Sequence, residues 1–221
     1  MLFHSRFNVK YIFCLSRIPN RCLRTFARMT RPFVIGISGV TNGGKTTLVY
    51  KLKQKFPGCP VIHQDEFFLP PNHAGLHTDP ELGHANWDEL AALDMEKMMN
   101  VVQKSINDPG TYHSQDGTPP LIFVEGFLLY NYRPLAEVFD KKYFLTLPKE
   151  ECFKRRCKRR YHPPDPPGYF EKICWPMYLK NKAELKDQED IVYLDGMDNQ
   201  WMHFDLVYED IQELAKKIEV A

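Results

Sequence analysis

Gly39-Val40-Thr41-Asn42-Gly43-Gly44-Lys45-Thr46 has the spacing of a phosphate-binding loop: a glycine, four residues, then Gly-Lys-Thr. Glycines let successive backbone N–H groups curl around phosphate oxygens, and a helix opening near Lys45 turns the positive end of its dipole toward them. Lys45 is spaced to reach the outer phosphates and the Thr46 hydroxyl to hold Mg²⁺. Two acidic positions follow short apolar runs, Asp65-Glu66 after Val61-Ile62-His63-Gln64 and Glu125 after Leu121-Ile122-Phe123-Val124. Phosphoryl transfer needs a carboxylate for the acceptor's hydroxyl proton, oxygen ligands for Mg²⁺ and cations against the moving charge. Asp65 is the candidate base and a candidate Mg²⁺ contact. Glu125 is a candidate for holding the metal or its waters, the alternative being an acid that caps a strand end at the surface.

The cations come from Lys154-Arg155-Arg156-Cys157-Lys158-Arg159-Arg160. Six like charges in seven residues repel one another unless anions are present. A phosphate-clamping lid, a nuclear localisation signal and a nucleic-acid patch all fit the run. The Pro-rich segment Pro163-Pro164-Asp165-Pro166-Pro167-Gly168 behind it suits a stiff flap, which favours the lid. A nucleic-acid binder should carry a broad positive surface, yet the chain's net charge is +1, and subtracting the six Lys/Arg of residues 1–28 leaves about −5 for the rest. Phe67, Phe68, Trp87, Tyr161, Tyr169, Trp175 and Tyr178 flank the same region. A flat heterocycle held between Trp87 and Tyr161, with Asp88 on ribose hydroxyls, would suit a nucleoside, while each ring alone is as compatible with ordinary packing.

These residues need a scaffold that brings strand ends together. Phe33–Ile37, Val61–Gln64, Leu121–Val124, Tyr143–Leu147 and Ile191–Leu194 read as strands, and the continuous apolar run of the third suits burial on both faces. Helices are predicted over Thr46–Phe56, Asp88–Ile106, Glu150–Tyr161 and Tyr169–Leu185, with a closing amphipathic helix marked by Phe204, Val207, Ile211, Leu214 and Ile218. Residues 69–86 and 107–120 read as loops. Alternating strands and helices imply a three-layer α/β fold, a parallel sheet covered on both faces with the arginine-rich lid at its ligand-binding end.

A chain of 221 residues is large enough for one domain with a sizeable core, and no run approaches the roughly 18 apolar residues of a membrane span. The six cysteines show no metal-ligand spacing and read as reduced thiols of an intracellular protein. His63, His73, His77 and His84 match no ligand pattern either and read as solvated loop histidines. Residues 1–28 are basic and acid-free, as in a mitochondrial transit peptide, or else a dispensable extension ahead of a working start at Met29. The expectation is therefore a basic extension over 1–30 and a kinase domain over 31–221, cytoplasmic or, with an active leader, mitochondrial.

Several stretches together carry a more specific likeness. Phe33 to Thr47, Gln64-Asp65-Glu66-Phe67-Phe68, Val124-Glu125-Gly126-Phe127-Leu128-Leu129, Tyr161 to Phe170, Trp175-Pro176-Met177-Tyr178-Leu179-Lys180 and Val192-Tyr193-Leu194-Asp195-Gly196 resemble the nicotinamide riboside kinases, among the uridine kinase-like nucleoside kinases. The resemblance runs from about Met29 to the C-terminus. It implies ATP- and Mg²⁺-dependent phosphorylation of the 5′-hydroxyl of nicotinamide riboside, giving nicotinamide mononucleotide on a salvage route to NAD. By position it assigns Gly39, Val40, Thr41, Asn42, Gly43, Gly44, Lys45, Thr46 and Thr47 to ATP, with Arg155, Arg159, Arg160 and Tyr161 facing it. Thr46 and Asp65 would bind Mg²⁺, and Asp65 would accept the proton. Asp65, Glu66, Phe67, Phe68, Trp87, Asp88, Arg156, Tyr161 and His162 would line the nucleoside pocket. Gly43, Glu66 and His162 depart from the serine, aspartate and glutamine expected there. A uridine or cytidine kinase and a catalytically silent nucleotide binder are the alternatives; a guanine-nucleotide switch would want Asn-Lys-x-Asp after a strand, and Asn181-Lys182-Ala183-Glu184 is imperfect and helical. The partners implied are a nucleoside and ATP, with no nucleic acid, membrane or obligate protein partner.

Overall fold

A computed structural model describes residues 31–108 and 120–219; the basic extension, most of the 107–120 loop and the Ile218 side chain lie outside the described residues. Five parallel strands, β1 (Phe33–Gly39), β2 (Val61–His63), β5 (Leu121–Glu125), β6 (Lys141–Thr146) and β7 (Ile191–Asp195), form a sheet in the order β2-β5-β1-β6-β7. The all-buried Phe33–Gly39 strand sits at its centre, where an uninterrupted apolar run belongs. Alternation along β1 feeds two cores. Val34 joins helix α2 (Met95–Asn107) through Met98 and Val102, with Tyr130 and Leu135. Phe33, Ile35 and Ile37 pack on helices α1 (Lys45–Lys55) and α6 (Gln200–Glu219) through Leu48, Leu52, Val207 and Ile211. Sheet and two helical layers give the three-layer fold expected.

A third cluster supports the lid. Val40 and Leu147 pack with Cys152 of α4 (Lys149–Arg156), with Tyr169, and with Phe170, Ile173 and Cys174 of a π-helical turn that runs on into α5 (Trp175–Ala183). At the opposite end of the sheet, Arg31 grips Asp140 through two bonds of 2.9 and 2.6 Å, and the same carboxylate accepts from the Val34 N–H at 2.9 Å.

Several boundaries differ from expectation for physical reasons. The helix predicted from Asp88 begins at Met95, because Asp94 caps it by accepting from the Lys97 N–H. A 3₁₀ turn, Leu90–Ala92, precedes it and frees Asp88 for the site. The 69–86 loop contains a small hairpin, β3 (Thr78–Asp79) with β4 (His84–Ala85). The helix predicted to Tyr161 stops at Arg156, so that Arg159, Arg160 and Tyr161 follow the phosphate loop rather than a helix axis. A four-residue helix, α3 (Arg133–Ala136), was not anticipated. Among the described residues no helix is long and apolar enough to cross a membrane, and Cys59, Cys152, Cys157 and Cys174 are free thiols.

Candidate active site

The turn from β1 into α1 is set by backbone geometry. Gly39 has φ 129°, and a Cβ there would sit 2.2 Å from the Leu145 carbonyl oxygen, so glycine is required where the loop leaves the sheet. Asn42 takes φ 58°, a left-handed conformation that asparagine tolerates, and Gly44, also left-handed, opens α1. The Lys45 ammonium turns back onto the loop and donates to the Gly39 and Val40 carbonyls at 3.1 and 2.8 Å. Burial lowers its pKa, while Asp65 and Glu125 pull the other way.

Asp65 and Glu125 reach the loop by separate routes. Glu125 ends β5 and is 7 % exposed. Its Oε1 accepts from the Thr46 hydroxyl at 3.0 Å and meets His63 Nδ1 at 2.7 Å, while Oε2 is buried with no hydrogen-bond partner among the described residues. Asp65 stands in a 3₁₀ turn, Gln64–Phe67, directly after β2. That turn is fixed by Gln64, fully buried, whose Oε1 accepts from the Phe127 and Leu128 N–H groups at 2.9 Å each. A Cβ on Gly126 would lie 2.4 Å from the same oxygen, so the close approach of the two strand ends depends on that glycine.

The lid is folded onto the loop. Arg155 donates to the Gly196 carbonyl (3.2 Å), Arg159 to Asn42 Oδ1 (3.2 Å) and Arg156 to Thr41 Oγ1 (3.2 Å), and the Asn42 amide meets the Tyr161 hydroxyl at 3.2 Å. Arg156, 8 % exposed, also holds Asp165 of the Pro-rich flap through bonds of 2.7 and 3.1 Å and lies 4.3 Å from the Tyr161 ring centroid. Burial works hardest against its charge, but the bond to Asp165 together with Cys174, Asp88 and Tyr161 outweighs it and holds the guanidinium above its ordinary pKa. Deeper in, the Tyr169 hydroxyl accepts from the Trp87 N–H and donates to Asp88, each at 2.9 Å. Burial raises the Asp88 pKa, against Arg156, Tyr169 and Cys174, which lower it.

Two openings meet at the loop. A cleft of about 440 Å³ is lined by residues that include Lys45, Thr46, Asp65, Trp87, Glu125 and Arg156. Its aromatic wall is Phe68 stacked on Phe127 at 5.9 Å and edge-on to Trp87 at 5.7 Å. A second opening of about 460 Å³ runs over Asn42 to Thr47 between Arg155, Lys158 and Arg159. Of the residues expected in the nucleoside pocket, Asp65, Phe68, Trp87, Asp88, Arg156, Tyr161 and His162 line the first cleft. Phe67 does not: it is turned into the core with Met95 and Leu128. Glu66 is exposed and lines neither opening. Arg160, expected to face ATP, lines the first cleft, and Val40 is buried, offering its carbonyl to Lys45. Glu125 is no surface cap, and His63 is no solvated loop histidine. Asn181 and Glu184 serve structure, the Asn181 amide donating to the Asp88 carbonyl at 3.0 Å and Glu184 accepting from Asn131 at 2.9 Å.

Thr46 Oγ1, the Glu125 carboxylate and Asp65 make a hard oxygen donor set beside the loop, and the unpartnered Glu125 Oε2 fits a Mg²⁺ ion or its bound water. Among the described residues no group of three or more His, Cys, Asp or Glu forms a cage by itself. Mg²⁺ commonly uses one or two carboxylates plus substrate phosphates, so a partial set is what it requires.

A family model described as AAA domain matches residues 35–175. Nicotinamide riboside kinase 1 of Rattus norvegicus is 49% identical over 195 residues, covering 85% of this chain and 98% of that protein. The Homo sapiens protein of the same name is 47% identical, covering 85% of this chain and 96% of its own length. The chain belongs to the nicotinamide riboside kinase family. A solved sugar kinase from Janibacter sp. HTCC2649, 19% identical with a TM-score of 0.51, covers 83% of this chain and 98% of that one and shows the shared fold alone. The site also uses Asp165, Lys158, His63 and Gln64, to which the sequence reading gave no role in it. The first two stand inside a quoted proline run and a basic run, yet nothing local marks their contacts.

Proposed function

We propose that the chain transfers the γ-phosphoryl group of ATP to the 5′-hydroxyl of nicotinamide riboside, giving nicotinamide mononucleotide and ADP. The observation that supports this most is the single cleft in which the phosphate-loop residues Lys45 and Thr46, the carboxylates Asp65 and Glu125 and the ring wall of Phe68, Trp87 and Phe127 face one another. Family membership at close to half identity supports the same acceptor.

In this reading the nucleotide lies in the second opening, its phosphates on the loop N–H groups, between Arg155 and Arg159. The pyridine ring lies against the aromatic wall, and Asp88, held by Tyr169, takes ribose hydroxyls. Asp65 accepts the 5′-hydroxyl proton as that oxygen attacks the γ-phosphorus; the bond to the β–γ bridging oxygen breaks and ADP leaves. Lys45 exchanges the Gly39 and Val40 carbonyls for phosphate oxygens. Thr46, Asp65 and Glu125 would hold Mg²⁺, which would supply positive charge against the phosphates. Tyr161 lines the first cleft and meets the loop through the Asn42 amide.

Residues 31–221 form the catalytic unit in this reading. Residues 1–30 are an extension ahead of that unit, and the chain is assigned to the cytoplasm or, with residues 1–28 active as a transit peptide, to mitochondria. The deciding experiment offers labelled ATP and Mg²⁺ with nicotinamide riboside, uridine or cytidine in parallel. Preferential labelling of the pyridine nucleoside is expected; preference for a pyrimidine nucleoside overturns the acceptor, and no transfer overturns the reaction.

A further inference from the structure

We infer that His63 is a positioning residue for the cation site, acting through Glu125 on the Thr46 hydroxyl; the inference rests on the phosphoryl-transfer reading above. The parallel pairing of β2 with β5 sets His63 opposite Glu125, so both side chains leave the same face of the sheet. An ionised carboxylate only accepts, so Nδ1 is the donor in the 2.7 Å contact to Glu125 Oε1. The same oxygen accepts from Thr46 at 3.0 Å.

The terminal torsion of a glutamate is broad and easily turned. Two donors on one oxygen fix it. With both on Oε1, Oε2 is left buried and unpartnered among the described residues, which is costly until a cation or its water meets it. The arrangement also commits the single Thr46 hydrogen to Glu125, so the lone pairs of Oγ1 remain for a hard cation. Without His63 the carboxylate plane can turn away from Thr46, and the hydroxyl is no longer obliged to present its lone pairs. The contact to Glu125 selects a ring that carries its hydrogen on Nδ1.

The test compares His63→Asn, whose amide nitrogen stands where Nδ1 does, with His63→Ala and with His63→Leu, which keeps bulk but no donor. Mn²⁺ affinity is read by electron paramagnetic resonance in the complex with a non-hydrolysable ATP analogue. Binding of the same analogue in excess chelator and the melting temperature are read alongside. The alanine and leucine variants should bind Mn²⁺ about tenfold or more weakly, as loss of a ligand-orienting partner commonly does, with asparagine within about threefold of wild type. Metal-free analogue binding should be the same in all four proteins. Unchanged Mn²⁺ affinity in the leucine variant, or an asparagine variant as weak as it, overturns the inference. Wild-type protein that binds Mn²⁺ with the analogue yet phosphorylates no riboside defeats the proposed reaction, and the asparagine–leucine comparison still decides the role of His63.

Discussion

At Asp65 and Asp88 two carboxylates of one cleft occupy opposite environments, and each gives a distinct expectation. Asp65 is exposed on a 3₁₀ turn within the cleft. Asp65→Asn should leave ATP affinity nearly intact while turnover falls at least about a hundredfold, because general base catalysis commonly contributes that much; unchanged turnover would remove Asp65 from the mechanism. Asp88 is half-buried, and its burial raises its pKa. A raised folded-state pKa gives stability that is complete below the ordinary carboxylate range and lost as pH climbs through the raised value. Asp88→Asn removes that loss. The variant should melt higher than wild type at neutral pH, by about 2–4 °C for each kcal/mol relieved, with the difference shrinking on acidification, while the KM for nucleoside rises about tenfold from the lost charged bonds. Melting curves with a pH-independent offset would contradict the account.

At the scale of elements, the strand–loop–helix unit was legible because each of its parts has a local cause: an apolar run, glycines at forced conformations, and a helix opening on Gly44. The second helix was misplaced because Asp88 resembles an acidic first turn, whereas the cap that starts the helix is Asp94. The lid's arginines were legible as a charge run, but not their division of labour. That division depends on Asp165 returning from the proline flap to clamp Arg156, a contact across nine residues with no periodic signal. Likewise His63 reaches Glu125 only through the β2–β5 register. The flap contact carries a prediction. Asp165→Asn removes the charged partner and should speed amide hydrogen exchange over residues 157–168, and it should raise the KM of both substrates about tenfold, the worth of a charge-assisted bond. Exchange rates equal to wild type would show that Asp165 does not hold the lid.

For the whole molecule, the chain's first described contact is at the end of the sheet away from the chemistry. Arg31 is one-third exposed while Asp140 is nearly buried, with Val34 as its other donor. Arg31→Ala should cost about 1–3 kcal/mol, as removing one partner from a buried charged bond does, with kcat/KM at permissive temperature unchanged. A chain beginning at Met29 should match the full-length protein in both melting temperature and activity. A loss of activity on that truncation, with Arg31 retained, would place part of the kinase unit inside the basic extension.

The Gln64 amide joins what recognition and catalysis would otherwise keep apart. One oxygen fixes the backbone that carries Phe127, while its own residue begins the turn that carries Asp65 and Phe68. The ring wall and the Asp65 carboxylate are thus mounted on a common pivot, seated where Gly126 lacks a side chain. Reshaping the wall to admit a bulkier heterocycle by moving its backbone would carry the carboxylate along with it. Substitutions confined to the Phe68 and Trp87 rings would leave that pivot undisturbed, and an altered-specificity enzyme is more readily sought there than in the strand-end loops.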